Sequence, residues 1–396
     1  MQVVLFVRMS VAFVPMSMRV PAQKEEPIVK IIDVTVTRYS ESRQAQTGAE
    51  IQVVDVHTDD GVTGRGFVST SNAVSDVVEM LLRRNLKNVL VGENPLLTED
   101  LWRRMYEQAF PRRGGQGLAL TCIAAIDFAL WDIKGKRLNA PVSTLFGGHR
   151  ERIATYANCA HHLPPDKLAA RAAGYVQQGH MALKIRGSAT FVSLREATER
   201  VKQVREAIGP DVKLMVDVNG TWDVDTAIQQ LKAWERYDVY WLEEPVRPED
   251  IMGYVRVRQR AGRTYIVGGE QHVGVGEFRQ LIEHGAVDVV QPNAAITGGI
   301  TDWLRIHALA TAASVPVSPW DLQRVHIHMA AGLPNVKWIE YFMADNPLMA
   351  FQSRLFKGPI LREERTDDGV FLLPPTAPGL GLELDEVVAE ECLVRE

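Results

Sequence analysis

VYWLEEP, residues 239–245, is an apolar run that closes on two adjacent carboxylates, Glu243 and Glu244. Such a run, short and bounded by proline, reads as a buried strand. Side chains two apart on a strand share a face while neighbours oppose. Glu243 therefore faces one way and Glu244 the other.

Short strands of the same kind recur on either side. They are IATYANC (153–159), ALKIRG (182–187), KLMVDVNG (213–220), YIVGGE (265–270), VDVVQPN (287–293), VPVSPW (315–320) and VKWIEY (336–341). Amphipathic helical patterns lie between them, among them DVDTAIQQLKAWERY (223–237) and GEFRQLIEHGA (276–286). Eight strand–helix units predict an α/β chain folded as a (β/α)8-type barrel over 150–396, whose chemistry sits at the C-terminal ends of its strands.

Ahead of the barrel, VKIIDVTVTRY (29–39) and AEIQVVDVHTDDGVTGRGFV (49–68) alternate as strands do, with DDG as the turn. The helical patterns 72–90, 97–110 and 120–138 follow, predicting an N-terminal α+β capping domain over 28–149. Residues 1–27 read as a disordered leader. The last segment is expected to return to the cap.

With 396 residues, 46% hydrophobic and 23% charged, the chain has the material for a large core. A net charge of −5 and the lack of a basic run interleaved with aromatics exclude a nucleic-acid surface. No apolar window reaches membrane-spanning length. Cys122, Cys159 and Cys392 are scattered without a CxxC, which argues against thiolate zinc and suits reduced thiols in a cytoplasmic setting.

Parity gathers the polar strand-end residues into inward groups: Lys184 with Arg186, Asp217 with Asn219, Glu243 alone, Glu270 with His272, Gln291 with Asn293, Ser318 with Trp320, and Glu340. Asp217, Glu243 and Glu270 end three successive units. Three carboxylates at one mouth repel unless a hard divalent cation, most economically Mg²⁺, lies between them. Glu244 is then expected in the sheet–helix layer or at its rim, held by a basic neighbour.

The chain resembles the enolase superfamily, and within it the mandelate racemase/muconate lactonizing enzyme group. The resemblance rests on AAIDFALWDIKGKRLNAPVSTLFGG (124–148), LKIRG (183–187), MVDVNG (215–220), WLEEPV (241–246), GGEQ (268–271) and GGITDWLRIHALA (298–310), and runs from Val29 to Leu384. It implies Mg²⁺ on Asp217, Glu243 and Glu270, removal of the proton α to a substrate carboxylate, and a homo-oligomer.

At the second strand the family's K-x-K motif is KIR here, leaving Lys184 as the candidate base. Arg186 stays charged, is expected to lower the Lys184 pKa and binds an enolate or carboxylate oxygen. Where the racemase-like pattern has an Asp/His dyad, this chain has Asn293 and Trp320, both read as substrate-binding together with Asn219. His272 is the substitute acid by parity, and Glu340 matches the family's eighth-strand glutamate. His161 and His162 past the first strand, Arg112 and Arg113 in FPRRGGQG, and the polar loops SESRQAQTG and STSNAV are further candidates for the rim.

The function expected is Mg²⁺-dependent dehydration of a sugar acid to a 2-keto-3-deoxy acid. An epimerase, racemase or cycloisomerase working through the same enediolate is the alternative, and a metal-binding homologue without turnover is the alternative of another class.

Overall fold

The computed structural model describes residues 29–41, 49–109, 116–159, 163–187, 193–343, 346, 348–357 and 361–395. The leader, the loop 42–48, Arg112, Arg113, His161 and His162 lie outside the described residues.

Strands β1 (Ile31–Ser40), β2 (Ala49–Thr58) and β3 (Thr63–Ser71) form an antiparallel sheet in chain order. The β2–β3 turn is the DDG of the sequence, with Gly61 at φ 86°. The 22-residue helix Gln116–Arg137 packs across β3. A Cβ at Gly64 would lie 2.1 Å from the Ala129 carbonyl oxygen, and one at Gly66 would lie 1.9 Å from that of Ala125, so only glycine lets helix and strand come this close. The helix is buried on most of its circumference because it lies between the sheet and the barrel.

Polar anchors fix that seam. Asp127 accepts from the Thr301 hydroxyl at 2.6 Å and from the Thr301 N–H at 3.0 Å. Trp131 Nε1 donates to the same hydroxyl at 3.0 Å, and Trp102 Nε1 donates to the Gly298 carbonyl at 2.6 Å. Asp132 accepts from the N–H groups of Arg65 and Leu380, tying sheet, helix and C-terminal segment together.

The barrel strands β4 (Ile153–Asn158), β5 (Ala182–Arg186), β6 (Lys213–Asp217), β7 (Val239–Glu243), β8 (Tyr265–Gly268) and β9 (Val289–Val290) pair in parallel, in order. The expected seventh strand, VPVSPW, contributes one bridging residue. Val317 pairs in parallel with Val290 on one side and Val336 on the other. Pro316 and Pro319 flank the ladder at this point and carry no N–H to extend it. Strand β10 (Ile339–Tyr341) then pairs with β4 and closes the eightfold ring.

Inside, Tyr156, Ala182, Met215, Trp241, Val267 and Val289 pack into an apolar cluster across the lumen. Side chains two residues further along several of these strands carry the polar groups at the mouth.

After the barrel, β11 (Arg362–Thr366) and β12 (Gly369–Leu373) form a hairpin that pairs antiparallel with β4. The chain then returns to the first sheet: Leu393 bridges Tyr39, and the Val394 N–H donates to the Arg38 carbonyl at 3.0 Å. Among the described residues no helix is long and apolar enough to cross a membrane.

Candidate active site at the barrel mouth

Register builds the site. Arg186 on β5 is opposite Asp217 on β6, which is opposite Glu243 on β7. Glu270 follows two residues after β8 ends. Ligand oxygens of Asp217, Glu243 and Glu270 all lie within 4.8 Å of one another, and the three residues are buried. Glu243 Oε2 and Glu270 Oε2 are buried without a protein partner.

Asn219 holds this cluster in shape. Its N–H donates to Asp217 Oδ1 at 2.8 Å, and its amide Nδ2 donates to Glu270 Oε1 at 2.8 Å and to Asp217 Oδ2 at 3.4 Å. The left-handed backbone of Asn219, φ 45°, permits this arrangement, which asparagine tolerates better than most residues. Asn219, expected to touch substrate, is thus spent on two of the carboxylates.

Lys184 lies beneath them and is 2% exposed. Its Nζ donates to Glu243 Oε1 at 2.5 Å and pairs with Glu340 Oε1 at 2.9 Å. The expectation that Arg186 depresses the Lys184 pKa is corrected here. Burial alone would push the amine down, but Glu243 and Glu340 hold it well above its ordinary value. Arg186 is nearer solvent and pairs with Asp217 at 3.4 Å. Glu340 on β10 also accepts from Asn158 Nδ2 at 2.7 Å, and Asn158 Oδ1 in turn accepts from Asn346 at 3.1 Å.

Six carboxyl groups, Asp217, Glu243, Glu244, Glu270, Asp321 and Glu340, share this mouth with two cations, Lys184 and Arg186, among the described residues. Burial raises the pKa of Glu243 and of Glu270, with the neighbouring carboxylates adding to it. Crowded oxygens, two of them without a protein partner, and too little positive charge are what a hard divalent cation resolves. The residues therefore fit such an ion, with Asp217, Glu243 and Glu270 as its ligands.

Several expectations from strand parity are overturned. Glu244 does not enter the helix layer and meets no base among the described residues. Its φ of 46° turns it into the cluster, where it is fully buried, accepts from Gln271 Nε2 at 2.6 Å and neighbours Glu270 and Asn219. His272 does not share the mouth with Glu270: β8 has ended at Gly268, alternation no longer holds, and the ring is buried against Tyr254 and Phe278 from two outer helices. Burial lowers its pKa to about 4, leaving a neutral packed histidine rather than an acid. Asn293 spends its side-chain oxygen as the cap of the helix Ala294–Thr297, accepting from the Ala295 N–H at 2.7 Å.

Trp320 is half-buried immediately before Asp321, which parity did not single out. Asp321 (φ 54°) and Leu322 (φ 46°) are consecutive left-handed residues. Asp321 Oδ1 is buried without a protein partner, and its N–H approaches Glu340 Oε2 at 3.4 Å. Gln291 and Ser318 are fully buried at the ends of the sixth and seventh strands, and Gln291 lies beside the Tyr156 hydroxyl. Strand parity groups both with the inward residues and, two residues after Tyr156, reaches Asn158 as well, whereas nothing in the periodicity points to Asn346 or Asp321.

Residues 27–147 match the family model for the mandelate racemase/muconate lactonizing enzyme N-terminal domain, and residues 167–388 match that for the enolase C-terminal domain-like family. The arabinonate dehydratase of Saccharolobus solfataricus is 31% identical over 355 residues, 88% of this chain and 91% of that protein. The 3,6-anhydro-alpha-L-galactonate cycloisomerase of Streptomyces coelicolor is 30% identical over 340 residues, 85% of this chain and 93% of that one. The crystal structure of L-talarate dehydratase from Polaromonas sp. JS666, complexed with Mg and L-glucarate, superposes with a TM-score of 0.81 at 29% identity, covering 93% of this chain and 98% of that one.

Proposed function

Because this chain belongs to the mandelate racemase/muconate lactonizing enzyme group of the enolase superfamily, we propose that it is a Mg²⁺-dependent lyase. Its reaction removes the proton α to the carboxylate of a hydroxylated sugar acid and expels the β-hydroxyl, giving a 2-keto-3-deoxy acid. The observation that carries this reading is the set of three buried carboxylates within 4.8 Å of one another, flanked by Lys184 and Arg186.

Asp217, Glu243 and Glu270 would hold a divalent cation, which would supply positive charge for a substrate carboxylate in a site screened from water. The chain's own residues do the rest. Arg186 keeps its charge at any working pH and offers a fork of N–H donors to a carboxylate oxygen. Lys184, held as an ammonium by Glu243 and Glu340, adds a second positive charge beside the cluster. Asn219 fixes the angle between Asp217 and Glu270, and Asn158 fixes Glu340. Second partners of this kind decide whether a site is rigid enough to favour the transition state. Ser318 and Gln291 are polar groups suited to hydroxyls of the substrate.

The test is a screen of purified protein with Mg²⁺ against mono- and diacid sugars, following 2-keto acid formation. Product from at least one acid, abolished by EDTA and restored by Mg²⁺, is the expected result. The similarity to a cycloisomerase favours isomerisation as a second reading. Solvent deuterium entering Cα with no loss of water would select it.

A further inference from the structure

The proposed reaction needs a group that moves protons. Arg186 cannot lose its proton, and the Lys184 amine is engaged by Glu243 and Glu340. His272 is packed away from the mouth. Among the described residues that are not cation ligands, Asp321 and Glu244 each keep one buried carboxyl oxygen without a protein partner, and the other bond to the Asp321 carboxyl comes from the Leu322 N–H.

Three observations set Asp321 apart. Its Oδ1 is buried with no protein hydrogen bond. Its main chain is held in a left-handed pair with Leu322, an arrangement that persists only where surrounding bonds over-determine it. Those bonds are present: His326, on the helix Gln323–Gly332, donates from Nδ1 to the Asp321 carbonyl at 2.7 Å and accepts at Nε2 from the Ala294 N–H at 3.1 Å. One buried imidazole thereby ties the ends of the sixth and seventh strands and fixes the turn that presents the carboxyl. The charged groups that act on Asp321 are Glu340 from β10 and Lys184 from β5, the pair beside which the substrate's carboxylate end would lie.

We infer that Asp321 is the proton-transfer residue of the proposed dehydration, and that His326 is its positioning residue. The Asp321 carboxylate takes the proton from Cα, and the C–H electron pair becomes part of the enediolate. The enediolate collapses to a Cα–Cβ double bond, the Cβ–O bond breaks, and the departing hydroxyl takes the same proton from the Asp321 carboxyl and leaves as water. The carboxylate is regenerated. The enol product gains a proton at Cβ and loses its hydroxyl proton to become the 2-keto acid. With one group serving both steps, the elimination is syn. Burial pushes the Asp321 pKa up to about 7, where a carboxyl can both accept and return a proton near neutrality.

The inference rests on the lyase reading, and the experiment separates the two. Asp321→Asn keeps size and tolerates the left-handed backbone. It is compared with wild type, both with Mg²⁺ bound, for 2-keto acid formation, for exchange of the Cα proton in D₂O, and for Mg²⁺ affinity by calorimetry. The expected result is a loss of roughly 10²- to 10⁴-fold in kcat for elimination and for exchange together, with Mg²⁺ affinity within a few-fold of wild type. Asp321→Glu is expected to recover part of the loss. In wild type, the rate falls as pH drops below about 7, a limb absent from the residual activity of Asp321→Asn.

A variant as fast as wild type overturns the inference and leaves the lyase reading standing. So does a variant that still exchanges Cα–H while failing to eliminate, because the base is then another group. A wild-type protein that neither eliminates nor exchanges with any acid overturns the lyase reading and this inference with it. His326→Gln is expected to lower kcat by a factor of about 10 to 100 with KM little changed.

Discussion

From β5 to β8 the mouth is built on strands of four or five residues, whereas from β9 round to β10 it rests on two residues, one bridging residue and three residues. On the first side, hydrogen-bonded register sets Arg186, Asp217 and Glu243 abreast, so the backbone ladder aims the charges. On the second side, the ladder is too short to aim anything. Side chains hold the backbone there instead: Asn293 caps a helix, His326 joins two turns, and the Asp321 N–H approaches Glu340. The ladder side carries the charge that gathers a cation. The turn side carries Asp321, with one carboxyl oxygen buried and without a protein partner.

The contrast is broken most directly on the ladder side. Glu270→Gln removes a ligand charge, and kcat/KM should fall by on the order of 10³-fold or more, with Mg²⁺ affinity weakened in the same calorimetric titration. A variant retaining wild-type Mg²⁺ affinity would place the cation elsewhere. Asn219→Ala frees Asp217 and Glu270 from their common brace, so about 10- to 100-fold should be lost from Mg²⁺ affinity or turnover while the fold stays intact by circular dichroism.

A third prediction concerns stability. Buried His328 has a pKa lowered to about 4 and links Ser143 to Leu380 at the seam between cap and barrel. A group whose folded pKa lies below its unfolded value stabilises above about 6.5 and loses that contribution as pH falls toward 4. In urea unfolding, the gap between wild type and His328→Asn should be about 1–3 kcal/mol at pH 7 and should shrink at pH 4.5. A gap that widens in acid would contradict a neutral native His328.

The smallest effect belongs to the turn side. Asn293→Asp preserves an N-cap of nearly equal quality, so stability should change by only a few tenths of a kcal/mol, and turnover should stay within about twofold of wild type. A large change in turnover would restore Asn293 as a substrate group.

What the sequence disclosed follows the same division. Asp217, Glu243 and Lys184 lie inside regular strands, where two-residue alternation holds, and all were legible from spacing. Glu270 was legible although it lies past its strand, because Gly269 (φ 134°) leaves it turned inward. Asn219, though left-handed, still falls beside Asp217 as the alternation expects. The failures come at other left-handed residues, Glu244, Asp321 and Leu322, for which an alternation rule has no term. Glu244 was assigned to the wrong layer for this reason, and His272 because its strand stops four residues earlier. The capping sheet was legible from its alternation and the DDG turn. The β11–β12 hairpin was not, since REERT carries no apolar face of its own.

The plug of Tyr156, Met215, Trp241, Val267 and Val289 has one further consequence. The barrel is a cup with a sealed base and not a tube. Among the described residues that apolar floor separates the polar mouth from the opposite end of the barrel, so the charged groups at the mouth exchange with solvent from their own side only.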